Sequence, residues 1–196
     1  FLTMNLVERA KNIILKPKEE WTVIDRENTS VITLTILYLI PFTLLLALAF
    51  FIKYGIFGIS AAGAFINMGF KWAIIYFISS AVSIFISTLI INYISPNFGT
   101  LKNFSKIFNL FVYSLTPVFI CSVFQIIPFI GFLSILGLYG LYVLYIGIKP
   151  MMKTPDDKVT TYFVVSLLVI IAVYFIISAI LAFIIIGKTY SMPVMQ

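Results

Sequence analysis

Apolar positions along this chain fall in long blocks, with the charged positions gathered between them. Val31 to Ile52 runs without a charge, and a second such run extends from about Trp72 to Ile94. From Ile107 to Ile148 there is again no charge, room for two crossings, with Pro128 and Gly131 in QIIPFIGF marking the turn. The last charge-free run lies between Lys158 and Lys188. Crossing a hydrocarbon core of about 30 Å takes about 20 residues at ~1.5 Å each. The pattern predicts an all-α integral membrane protein with five transmembrane helices, at about 31–52, 72–94, 107–127, 129–148 and 160–186. These form one membrane domain, 31–188, followed by a short tail, 189–196. A four-helix arrangement, with 107–148 as one re-entrant unit, is the alternative.

The first 30 residues differ in kind. Phe1-Leu2-Thr3 precede Met4 and read as an expression remnant. In 4–30, Leu6, Val7, Ala10, Ile13 and Ile14 recur at helical spacing, separated by Glu8, Arg9, Lys11, Asn12 and Lys16. That pattern predicts an amphipathic helix lying in the membrane interface. KPKEEW then restarts the chain: Pro17 suits a first helical turn, and Glu19 and Glu20 complement its dipole. Pro17 and Trp21 are expected as interface anchors, since Trp favours the headgroup level. A docking surface for a cytoplasmic partner is the other reading.

Composition agrees with the blocks. The chain is 62% hydrophobic and 10% charged, with a mean hydropathy of +1.12, which excludes an ordinary soluble domain. The net charge of +6 forms no basic face, so nucleic acid is not an expected partner. Charge sorts by side instead. Ten of the 13 Lys and Arg residues fall in the amino-terminal segment and in the second and fourth connections, against Lys53, Lys71 and Lys188 elsewhere. The amino terminus is therefore expected in the cytoplasm and the carboxyl terminus outside. There is no histidine and one cysteine, Cys121, which excludes disulfides, zinc sites and a Ser-His-Asp triad within one chain. No catalytic, metal or cofactor-binding residue is expected.

Within the expected spans no Asp, Glu, Lys or Arg occurs, which argues against a proton-coupled pump. The polar inventory is neutral. Ser79, Ser83 and Ser87 repeat every four residues, a small-residue ridge suited to helix packing, or to lining a lipid or solute path. Asn109, Tyr113, Thr116 and Gln125 are candidates for the same two roles. Pro117, in YSLTPVF, removes a backbone hydrogen bond and frees a carbonyl near Tyr113. Tyr139, Tyr142 and Tyr145 are expected to face polar groups on another helix. In KTPDDK, Thr154 is expected to cap the last helix, with Asp156 and Asp157 at its positive end and Lys149 among the retained cytoplasmic charges. The two aspartates read as a helix start; a cation or acid–base site is the alternative.

The order of these pieces carries a resemblance. KPKEEW, five apolar blocks, YSLTPVF, IPFIG and then LYGLYVLYIGIKPMMKTPDDKVTTY resemble the bacterial branch of the Yip-domain family, named for the Ypt/Rab-interacting proteins. The likeness runs from about Asn5 to Lys188. It implies a five-helix protein of the cell membrane, in bacteria the inner membrane, with its amino terminus in the cytoplasm. For eukaryotic members it implies roles in vesicle traffic, with binding to prenylated small GTPases and to sister proteins. The long acidic region and the DLYGP-type signature of those members are missing here, so a small GTPase is not an expected partner.

Three functions remain. The first is a non-enzymatic scaffold that organises the membrane or binds proteins, as a homo-oligomer or with other membrane proteins, through helix packing and the interfacial helix. The second is a protein that handles lipid or a small solute along its neutral polar residues. The third is an intramembrane enzyme, which lacks a base beside its serines. The first is the expected function, with membrane lipids as constant partners.

Overall fold

A computed structural model describes residues 5–56 and 64–190, and among these every regular element is helical. The expected remnant at 1–3 and most of the expected tail lie outside the described residues. Among the described residues, five helices are long and apolar enough to cross a membrane: Val31–Gly55, Ile66–Phe98, Phe104–Ile126, Phe129–Met152 and Val159–Gly187. The third and fourth are separated by an extended residue, Ile127, so 107–148 is two helical segments and not one.

Two short helices precede the spans. α1 (Leu6–Leu15) is capped by the Asn5 side chain, which accepts from the Glu8 N–H. α2 (Pro17–Glu27) begins on Pro17 and ends on Asn28, whose φ of 46° reverses the chain. The first span starts as α3 (Val31–Leu34), capped by Ser30, and continues as α4 (Ile40–Gly55). Between them, Thr35–Leu39 forms a π-turn in which the Ile40 N–H bonds to the Thr35 carbonyl. This wider turn sits just ahead of Pro41, whose ring would otherwise meet the preceding turn.

The second span is α5 (Ala64–Ile94), longer than the block pattern predicts. Lys71 lies inside it, because one lysine near a helix end does not interrupt the backbone ladder. α5 packs along α4, closest where Gly69 meets Gly55, and along α9. The third span divides at Leu115 into α6 (Phe104–Ser114) and α7 (Thr116–Cys121), then tightens into a 3₁₀ stretch, Ser122–Ile126. The fourth opens as a long 3₁₀ stretch, Pro128–Leu138, and becomes α8 (Tyr139–Met152). Pro128, Gly131 and Gly137 are poor α-formers, which fits the tighter winding there. α9 (Val159–Tyr190) is the fifth span.

The core lies around the third span, where Phe108, Leu110, Phe111, Val112 and Tyr113 are fully buried. α9 is the most exposed span, touching α5 and α8 while Leu168, Phe175, Ile176 and Phe183 face outward. The bundle has a near end, at residues 28–30, 99–103 and 153–158, and a far end, at 56 and 127.

Candidate functional site

The motifs that are far apart in sequence converge on Tyr113. α1 and α2 do not lie apart from the bundle; they pack against α6, α7 and α8. Trp21 is wholly enclosed by protein. Its indole N–H donates to the Val143 carbonyl at 3.0 Å, and its ring meets Tyr113 edge-on at 6.4 Å. Gly147 makes the slot, since a Cβ there would overlap the Trp21 ring and Leu110. This corrects the expected anchor: Trp21 binds the bundle, not the headgroup layer, and Pro17 is likewise buried. An apolar helix face is equally satisfied by lipid or by a protein groove, and here the groove also supplies a hydrogen-bond acceptor.

The same two helices bring charge to spans that contain little of their own. Arg9, 8% exposed, is ion-paired to Glu20, itself buried, and to Glu27. Its guanidinium lies over the Tyr113 ring, 5.8 Å from the centroid. Burial alone would lower the Arg9 pKa, but the hydrogen bond to Glu27 and the surrounding charges outweigh it and push it up, so Arg9 stays charged. Lys106 pairs with Asp25 at 2.5 Å, while Asn109 Nδ2 and Ser105 Oγ both donate to the Thr29 carbonyl. Charged groups thus stand against the third span even though its sequence holds no Asp, Glu, Lys or Arg between Lys106 and Ile126.

At the helix break, Pro117 is the second residue of α7 and, lacking an N–H, cannot supply the helical donor to the Tyr113 carbonyl. The Thr116 hydroxyl donates to that carbonyl at 2.7 Å and lies 2.8 Å from the Tyr38 hydroxyl. Tyr38 packs edge-on against Tyr113 at 4.8 Å. Tyr113, Thr116 and Pro117, all buried, therefore build a packed joint between the first and third spans.

The serine ridge is turned inward. Ser79, Ser83 and Ser87 are all buried on α5, so the ridge is used within the chain. Ser83 also borders a cavity of about 550 Å³ between α4, α5, α7, α9 and the two 3₁₀ stretches. Leu46, Phe50, Ile84, Leu115, Phe119 and Ile170 form its apolar wall. It opens sideways, where Val118, Leu138, Ile171 and Phe175 are partly exposed at the rim. Three of its four serines turn back on their own helices: Ser80 donates to the Tyr76 carbonyl, Ser83 to that of Ser80, and Ser122 to that of Phe119. Gln125 lines the far end, its Nε2 on Ser134 Oγ and its Oε1 accepting from Lys53 Nζ at 2.9 Å.

The near-end loop departs from expectation. α9 begins at Val159, after a turn at 156–158, so Thr154 is not its cap. Thr154 is buried and hydrogen-bonds the Thr100 hydroxyl at 3.0 Å, because Pro155 holds the chain in a turn before the helix starts. Asp156 pairs with Lys149 in the open, and Asp157 is exposed. No cluster of three metal-ligating side chains occurs among the described residues. The tyrosine face is half-exposed, and Tyr139 bonds not to a spanning helix but to the Ile14 carbonyl of α1.

A family model, the Yip1 domain, matches residues 11–186. The chain belongs to the Yip1 domain family. That match takes in the second half of α1, α2, the first four spans and the fifth to within a residue of its end. The family and the five apolar helices together make this a membrane protein. No curated protein and no solved structure matches the chain.

Proposed function

We propose that this Yip1-domain protein organises the membrane by binding, not by chemistry, and that its ligand is lipid held in the lateral cavity. The cavity carries this reading. Its volume, about 550 Å³, falls in the range of ~300–1,000 Å³ common to small-molecule sites, and it opens toward the bilayer between apolar helices. Away from the polar end the wall presents carbon, since the hydroxyls of Ser80, Ser83 and Ser122 donate to their own backbones. Such a wall suits an acyl chain better than a hydrated solute. The candidate residues at 79, 83, 87 and 125 thus divide into packing and lining, with Ser83 and Gln125 on the ligand side.

A second reading, a protein-interaction scaffold, is favoured by α9, whose apolar outer face could meet a second membrane helix. In both readings the amino-terminal helices lie on the cytoplasmic side, which the ten-to-three charge bias supports. The near-end surface of Lys149, Asp156 and Asp157 then faces the cytoplasm as a solvated loop. Gentle release from the membrane followed by native mass spectrometry separates the readings. Lipid handling predicts a protomer retaining a stoichiometric lipid. A lipid-free oligomer would overturn it in favour of the scaffold.

A further inference from the structure

We infer that the far end of the cavity is a headgroup site for an anionic phospholipid, with Lys53 supplying the charge and one acyl chain lying along the cavity. This rests on the lipid-holding reading above and names the class of lipid. All seven acidic residues of the chain fall at 8–27 and 156–157, in the amino-terminal helices and the near-end loop. Lys53 stands in the last turn of α4, at the far end, away from all seven of these acidic side chains.

Nor does Lys53 extend away from the bundle, as a lysine at a membrane edge commonly does. It folds back along α4 with its ammonium 5.6 Å from the Phe50 ring centroid and 5.5 Å from that of Tyr54. From there it donates to Gln125 Oε1. Phe50 and Gln125 both line the cavity, and Lys53, bonded to Gln125, stands behind them at its polar end. An ammonium has more donors than the one Gln125 takes, and a part-buried cation beside a low-dielectric cavity calls for an anion. In a bilayer the anion at that level is a lipid phosphate, and its own acyl chain would enter the apolar space below Gln125 and Ser134.

The test uses the full-length protein in detergent, with native mass spectrometry counting bound phosphatidylglycerol or phosphatidylcholine of identical acyl chains. Wild type should retain phosphatidylglycerol in preference, on the order of fivefold for one lysine–lipid charge contact. Lys53→Gln should bind both lipids without preference, and Lys53→Arg should restore the preference. A wild-type preference near one, or one unchanged in Lys53→Gln, would overturn the headgroup assignment while leaving the cavity reading intact. Retention of neither lipid would overturn the cavity reading itself. Inorganic phosphate should not displace phosphatidylglycerol; displacement at millimolar phosphate would make this a site for free phosphate instead. Comparing the two lipids on wild type needs no variant, so misfolding of Lys53→Gln cannot shelter the proposal.

Discussion

Truncating Trp21 to alanine should release the amino-terminal helices while leaving the five spans assembled. Trp21 is wholly buried, and its loss empties the slot between Tyr113, Leu110 and Gly147. Aromatic-to-alanine changes at such sites cost about 3–5 kcal/mol, a figure that already includes the hydrogen bond and the ring contact. At roughly 1.4 kcal/mol per tenfold, the opening equilibrium of α2 should rise by about two to three and a half orders of magnitude. Amide hydrogen exchange reads that equilibrium locally, so residues 17–27 should exchange faster by that factor, with α5 and α9 unchanged. Trp21→Phe keeps most of the ring but loses the bond to the Val143 carbonyl. It should cost only about 1 kcal/mol, roughly fivefold in exchange. Unaltered exchange of α2 in Trp21→Ala would refute the docking argument. Equal acceleration across all spans would show that the helices are not a separable cap.

Thr116→Val should destabilise the bundle by about 1–3 kcal/mol, measured by unfolding in mixed micelles, because it strips the Tyr113 carbonyl of its donor and the Tyr38 hydroxyl of its partner. Changing Asp156 and Asp157 to asparagine should alter stability by less than ~1 kcal/mol and leave lipid retention intact. The Lys149–Asp156 pair is solvated, with side chains 64% and 78% exposed, so solvent and salt screen most of its attraction. Loss of lipid in that double variant, with folding preserved, would return the aspartates to the ligand site.

What the sequence made legible follows from what each physical signal encodes. Long charge-free blocks encode membrane crossing, so the number of spans could be read directly. Charge-free length is a poor ruler of helix ends, however, and α5 runs through Lys71. The joint at Pro117 was legible because proline's missing N–H is a local property. Spacing told that Ser79, Ser83 and Ser87 share a face, but not that the face looks into the chain. Trp21 was the harder case: its helix face is apolar whether it meets lipid or α8, and Val143 lies 122 residues away. Thr154 was misplaced for a similar reason, since its partner Thr100 is brought close only by the packing of two loops. The cavity was out of reach, because its walls come from all five spans and its polar end joins Lys53 to Gln125 across 72 residues.

The central claim, that the lateral cavity holds lipid, is tested most directly by counting lipid per protomer in wild type and in two variants that fill the space. Leu138→Trp blocks the exposed rim, and Ser83→Phe fills the interior. Native mass spectrometry of identically prepared samples, with helical content checked by circular dichroism, should find one retained lipid in wild type. It should find strongly reduced occupancy in Leu138→Trp and in any folded Ser83→Phe. Wild type without lipid, or undiminished lipid in a folded Leu138→Trp protein, would contradict the account.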